Sequence, residues 1–194
     1  MAGKITNNIN VTKLFETIDS IKKNPHLAKF KFRAKNEWVD GTHCRTTIKD
    51  FYGAGKEDTS RLQSFILQAD EPAVLLGTDH GPNATEALLY ALTSCLNTTF
   101  MYHASAHGVK VEKLEIELEG EIDLRGILGI DEKVRNGFEH IHVTFHVKAN
   151  APAEKIEDLV RLAQKRSPVF DCVTHETPIA VTMTAEPVTT GPRT

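Results

Sequence analysis

The sequence predicts an α+β fold, and three features carry that prediction. Two segments, "VEKLEIELEGEI" and "GFEHIHVTFHVKA", alternate apolar and polar residues with the period of half-buried strands. The stretch from Asn83 to about His107 is apolar around much of its circumference, as expected of a long helix covered on most sides. A second segment, "APAEKIEDLVRLAQKR", sets Ile156, Leu159, Val160 and Ala163 at the spacing of an amphipathic helix. No internal repeat or low-complexity linker divides the chain, so one domain is expected.

In chain order, "NVTKLFETIDSIKK" places Val11, Leu14, Phe15, Ile18 and Ile21 on one helical face, and Asn24-Pro25 stops it. This predicts an N-terminal helix docked on the main body. "HLAKFKFRAKNEWV" then alternates, with Phe30, Phe32 and Ala34 on one face. Asp40-Gly41 signals a hairpin turn, "THCRTTIKDFYGAG" the returning strand, and "QSFILQAD" a third strand. Asn83-Ala84-Thr85-Glu86 fits a capping box at the start of the central helix, and Gly108 ends it. Leu114, Ile116, Leu118 and Ile122 face inward on one strand; Ile141, Val143, Phe145 and Val147 do so on the other. "DLRGILGIDEKVRN" between them is an excursion without strand pattern. The second helix stops before Ser167-Pro168, where Ser167 is placed to cap a short turn through Cys172. "PIAVTMTAE" is expected to close the chain as a strand, followed by a loose tail.

Length and composition narrow the function classes. At 194 residues, 40% hydrophobic and 25% charged, the chain is ordinary globular protein. A formal charge of -3 gives no reason to expect nucleic acid. No apolar run approaches the roughly 18 residues of a membrane span, and "MAGKITNNINVTKLF" lacks the apolar core of a secretory signal. Three cysteines without a CxxC pair make neither a disulfide framework nor a zinc knuckle. A reducing cytoplasm is the expected location, without membrane partner or cofactor, which makes the three Asn-x-Thr sequons chance matches.

Cys95, in the middle of the central helix, is either a small core filler or a reactive centre served by other segments. It lies about 18 Å from the helix start, too far for the macrodipole to sharpen it. Glu86 is nine residues earlier, about 13 Å away and on nearly the opposite face. The two meet only where two copies of the helix cross, and the capping role is an equal alternative for Glu86. His140, His142 and His146 share a strand face, but a row of glutamates opposite explains them as cross-strand pairs, so no metal is expected. A Cys-His hydrolase using His103, His107 or His175 would need a contact that sequence spacing does not supply.

"GPNATEALLYALTSCLNTT", the paired strand patterns and "AQKRSPVFDCVTHETPIAV" together resemble the OsmC/Ohr family of osmotically inducible and organic-hydroperoxide-resistance proteins. The resemblance spans roughly residues 30 to 187. It implies three parts: an N-terminal helical extension (1–28), an OsmC-like domain (29–187) and a C-terminal tail (188–194). It also implies an intertwined homodimer, with antiparallel sheets from both chains wrapped around the long central helices. The implied activity is reduction of a small-molecule hydroperoxide by a helix cysteine that becomes a sulfenic acid. A second cysteine then closes a disulfide, which an external dithiol reduces. Carried onto this chain, the peroxide-reacting position is Cys95. Arg45 is the thiolate-stabilising arginine, with Arg33 in reserve. Glu86 is the acid, displaced by one because Thr85 stands at the family's glutamate position. Cys172 is the resolving cysteine, with Cys44 or an external thiol as alternatives, because Ser167 stands where the family's Cys-Pro-Val motif has its cysteine. A different class of reading also stays open: a catalytically silent protein holding a small apolar ligand in the dimer crevice.

Overall fold

The computed structural model describes residues 3–186. It begins with a hairpin absent from the sequence expectations, β1 (Ile5–Thr6) and β2 (Ile9–Asn10). Its turn residues Asn7 and Asn8 have φ of 52° and 59°, a left-handed backbone that asparagine tolerates better than most residues. Two-residue strands are too short to leave an alternation pattern. Helix α1 (Val11–Lys23) follows, capped by Asn10. Only its first residue, Val11, is buried; Phe15 and Ile18 stay exposed, so the expected docking is confined to the first turn.

Asn7 fastens this extension to the domain. Its Nδ2 donates to Ser105 Oγ (3.0 Å) and to the Val109 carbonyl (2.9 Å), and its Oδ1 accepts from the Val111 N–H (3.0 Å).

The first sheet starts with β3 (Lys35–Asp40) and β4 (His43–Ile48), joined through the expected Asp40-Gly41 turn, where Gly41 has φ +51°. The strand expected around Phe30–Phe32 is reduced to a bridge from Lys31 to Tyr52. The Phe30 ring stacks on Phe51 and on Phe32 instead, and Phe32 packs against Phe51 at a tilt. The chain beyond β4 forms a separate small hairpin, β5 (Phe51–Gly53) with β6 (Lys56–Asp58), rather than one continuous returning strand. Ala54 and Gly55, both at positive φ, make that turn. β7 (Phe65–Ala69) then pairs with β4, giving the sheet order β3-β4-β7.

Helix α2 (Ala84–Ala106) has the expected capping box: Asn83 Oδ1 accepts from the Glu86 N–H, and Glu86 Oε2 accepts from the Asn83 N–H, both at 2.9 Å. Gly108 at φ +73° ends it. β8 (Val111–Glu121) and β9 (His140–Ala149) pair in the expected facing, with Glu115 opposite His146, Glu119 opposite His142 and Glu121 opposite His140. The excursion between them holds one short helix, α3 (Leu124–Ile127). The chain continues into α4 (Ala153–Arg166) and α5 (Pro168–Thr174), with Ser167 as the shared cap.

Phe100, Ala104, Val109, Leu159 and Ala163 form the core, with Leu114, Phe145 and Val147 of the β8–β9 pair packed against it. Two expectations need correction. First, α2 is not covered on most sides within one chain. Leu92, Leu96, Phe100 and Ala104 form one buried stripe, while Tyr90 is 69% exposed and Tyr102 49%. The helices after β9 and a two-stranded ribbon are together too small to surround it. Second, residues 178–186 form no strand: Ile179, Val181 and Met183 alternate as expected but are at least 84% exposed. A strand exists only against a neighbour, and no edge in this chain receives it. The predicted tail, 188–194, lies outside the described residues.

The Asn7→Ala protein is expected to be less stable than Asn8→Ala by about 1–3 kcal/mol. Both replacements place alanine at positive φ, but only the first strands polar groups of Ser105, Val109 and Val111. Urea unfolding midpoints of the two variants check this; equal midpoints would remove Asn7 as the fastener.

Candidate functional site

The site grows from the seam between α2 and α4. On α4, Leu159 and Ala163 are four residues apart, and Ser167 is four further on. All three are at most 1% exposed. The stripe that packs α4 on α2 therefore runs into Ser167. There the following proline disfavours helical backbone, and the residue turns to an extended conformation with ψ 116°. Its N–H still donates to the Ala163 carbonyl (2.9 Å), closing α4. Its Oγ accepts from the Phe170 N–H (3.2 Å), opening α5 with Pro168 in the first turn.

The remaining capacity of that hydroxyl is its own hydrogen, and Ser167 Oγ donates it to Cys95 Sγ at 3.1 Å. Cys95 is partly buried, beside the fully buried Leu96. The resulting chain runs from the Phe170 amide through the Ser167 hydroxyl to the sulfur, and each link polarises the next. A hydroxyl donor favours negative charge on the sulfur it faces.

The other expected site residues lie apart from this pair. Arg45 is exposed on β4, between Glu37 of β3 and Gln68 of β7, and makes no hydrogen bond to Cys95. Its sheet has no extensive packing against α2. Arg33 is held by both carboxylate oxygens of Glu57, at 2.8 and 2.7 Å. Glu86 occupies the capping box. Cys172 is exposed on α5, and Cys44 is partly buried on β4 opposite Trp38 and Ala69. His103, near the end of α2, has its pKa pushed below the ordinary histidine value by burial, with smaller contributions from the charges of His107 and Arg166. His175 pairs with Asp171 (3.2 Å). Of the strand histidines, His140 faces Glu121 (3.5 Å) and His146 faces Glu117 (3.6 Å). Among the described residues, no group of three or more His, Cys, Asp or Glu side chains could hold a metal ion. No described helix is long and apolar enough to cross a membrane.

Sequence reasoning missed Asp70, the most heavily bonded side chain in the molecule's approach to α2. It is 2% exposed. Its Oδ1 accepts from Thr42 Oγ1 (2.6 Å) and the Glu71 N–H (2.8 Å). Its Oδ2 accepts from Thr78 Oγ1 (2.8 Å), the Thr78 N–H (3.1 Å) and the His80 N–H (3.3 Å). The His80 ring nitrogen Nδ1 lies 3.1 Å from the same oxygen. The ring of His80 stacks on His43, with centroids 4.5 Å apart. The hydrogen bond from Thr42 leads, joined by those from Thr78 and His80, in holding the carboxyl far below the usual carboxylate range against the opposing effect of burial. This node ties the ends of β4 and β7 to the loop that delivers α2. Gly77 and Gly81 let the loop close: a Cβ on either would strike the carbonyl of Glu71 or Gln68. The signal available in the sequence was an acid followed by "GTDHGPN", a run of turn residues needing donors and acceptors.

The sequence matches the family model described as OsmC-like protein over residues 77–182. Solved structures share the fold. An OsmC-like protein from Mycoplasma pneumoniae matches with a TM-score of 0.58 at 15% identity, covering 75% of this chain and 89% of its own. A Psychrobacter arcticus protein, provisionally named an osmotic stress induced and detoxification response protein, matches with a TM-score of 0.54 at 14% identity, covering 72% and 85%. No curated protein matches the sequence.

Because Asp70 has a lower pKa folded than unfolded, its stabilisation is complete above the unfolded value, about 3.9. It is lost as pH falls below that value toward the folded one. Asp70→Asn cannot titrate, so the stability gap between wild type and variant should stay constant from about pH 7 to about pH 5 and narrow steadily as pH falls from about 4 to about 2. Chemical denaturation across that range reads the gap; a gap constant throughout would mean that the carboxylate's charge contributes nothing.

Proposed function

This chain belongs to the OsmC-like protein family, and on that footing we propose that it is a thiol-dependent peroxidase that reduces organic hydroperoxides or hydrogen peroxide through Cys95. The observation that carries the reading is the buried Ser167 hydroxyl donating to the Cys95 sulfur. A core-filling thiol needs no such donor, whereas a nucleophilic sulfur gains from one. In the reaction, the Cys95 thiolate attacks the terminal oxygen of R–O–OH. The O–O bond breaks, the alkoxide leaves and takes up a proton as ROH, and the sulfur is oxidised to S–OH.

In this reading the working unit is a homodimer in the cytoplasm. Three features of the single chain support the pairing. The β3-β4-β7 sheet exposes Trp38, Ile66 and Leu67. One side of α2 is open, and the alternating segment at Ile179–Met183 lacks a neighbour. A second copy would complete these and bring Arg45, and the acid Glu86, toward the partner's Cys95. A second reading, apolar-ligand binding without catalysis, draws on the open cleft of about 540 Å³ between β9 and α4. Its apolar wall is Val143, Phe145, Val147, Ile156 and Val160, and Glu157, Arg161 and Gln164 line the rest.

Stopped-flow mixing of the reduced protein with cumene hydroperoxide is expected to consume the Cys95 thiol at least a hundredfold faster than free cysteine (about 3 kcal/mol of barrier lowering), and Cys95→Ser to abolish the phase. A rate no faster than free cysteine rejects catalysis and favours ligand binding. Sedimentation equilibrium should give twice the 21.5 kDa chain mass; a monomer rejects the shared site.

A further inference from the structure

The residue in contact with Cys95 is an oxygen nucleophile where a disulfide would need sulfur. Ser167 Oγ, 3.1 Å from Cys95 Sγ, is the one side-chain donor to that sulfur among the described residues. Cys172 is five residues further along α5, about 7.5 Å of rise and about 140° of rotation away, and it is exposed. Cys44 lies on β4, partly buried opposite Trp38 and Ala69, within a sheet that does not pack extensively on α2 of the same chain. Disulfide closure needs converging side chains, and the side chain that converges on Cys95 is Ser167, which has no sulfur.

We infer that Cys95 works as a single-cysteine centre, its sulfenic acid resolved by an external thiol, with Ser167 as the positioning residue that holds the sulfur. The inference rests on the peroxidase reading. Cys95–SOH reacts with R′–SH to give the mixed disulfide Cys95–S–S–R′ and water. A second R″–SH attacks the R′ sulfur, releasing R′–S–S–R″ and returning Cys95 to the thiol. The two electrons that reduce the peroxide thus come from two external thiols, and Cys172 and Cys44 keep theirs. Because Ser167 is held by three local hydrogen bonds besides the one to Cys95 and is 1% exposed, the sulfenic acid forms in a pocket already braced on one side.

The test treats the wild-type chain with one equivalent of cumene hydroperoxide and maps its cysteines by mass spectrometry. The expected products are a dimedone adduct at Cys95 and, with 2-mercaptoethanol added, a mixed disulfide there, while Cys44 and Cys172 remain alkylatable. A Cys95–Cys172 or Cys95–Cys44 disulfide overturns the inference and leaves the peroxidase reading standing. No loss of the Cys95 thiol overturns both. Ser167→Cys should convert the same treatment into a disulfide between Cys95 and the new thiol, and a variant that keeps its sulfenic acid overturns the assigned geometry. Ser167→Ala should slow the thiol-loss phase roughly tenfold, with Ser167→Thr recovering most of the rate. An unchanged rate in Ser167→Ala, or no recovery in Ser167→Thr, overturns the positioning role. The wild-type mapping decides the resolution step even where a variant fails to fold.

Discussion

The α2–α4 seam is the constraint on which the rest of the molecule depends. Leu159 and Ala163 sit against Phe100 and Ala104 with almost no exposed surface. Close packing of this kind tolerates little displacement, so the far end of α4 is fixed relative to α2. Ser167, at that end, serves as cap for two helices and donor to one sulfur. A hydroxyl with two hydrogen bonds, on a residue whose N–H is tied to the Ala163 carbonyl, has little freedom, and the Cys95–Ser167 distance is set by apolar packing rather than by the polar contact itself.

A second anchor, Asp70, governs the other approach to the central helix. Its carboxylate is surrounded by hydroxyl, amide and imidazole donors from Thr42, Glu71, Thr78 and His80. Burial alone would favour the neutral acid; the donors reverse that preference. The loop from 70 to 83 thereby becomes a rigid link between the first sheet and the N-cap of α2. The capping box then continues the rigidity into the helix. Between Asp70 at one end and Ser167 at the other, Cys95 lies on a helix held by charge-assisted hydrogen bonds before it and by packing beside it.

The departures from the family pattern gain physical content in this frame. Serine in place of cysteine before Pro168 preserves the cap and the contact but removes the capacity for a disulfide. Glu86, one residue from the family's glutamate position, is engaged in capping α2. What stands against the sulfur is a hydrogen-bond donor, the Ser167 hydroxyl.

Local pattern fixed the elements that local physics controls. The α2 limits followed from Asn83, Glu86 and Gly108, and the β8–β9 facing followed from strict alternation, because caps, turns and period depend on residues within a few positions. The two small hairpins were too short to leave a pattern, and the alternation at Ile179–Met183 was legible but had no neighbour to pair with. The sequence by itself thus determined an α+β chain with a thiol midway along its central helix, and the family motifs around that thiol. Only the tertiary structure decided that Ser167, 72 residues away, meets Cys95, and that Asp70 gathers its donors from Thr42 to His80. Contacts between distant segments depend on how helices and sheets pack, which no window of sequence records.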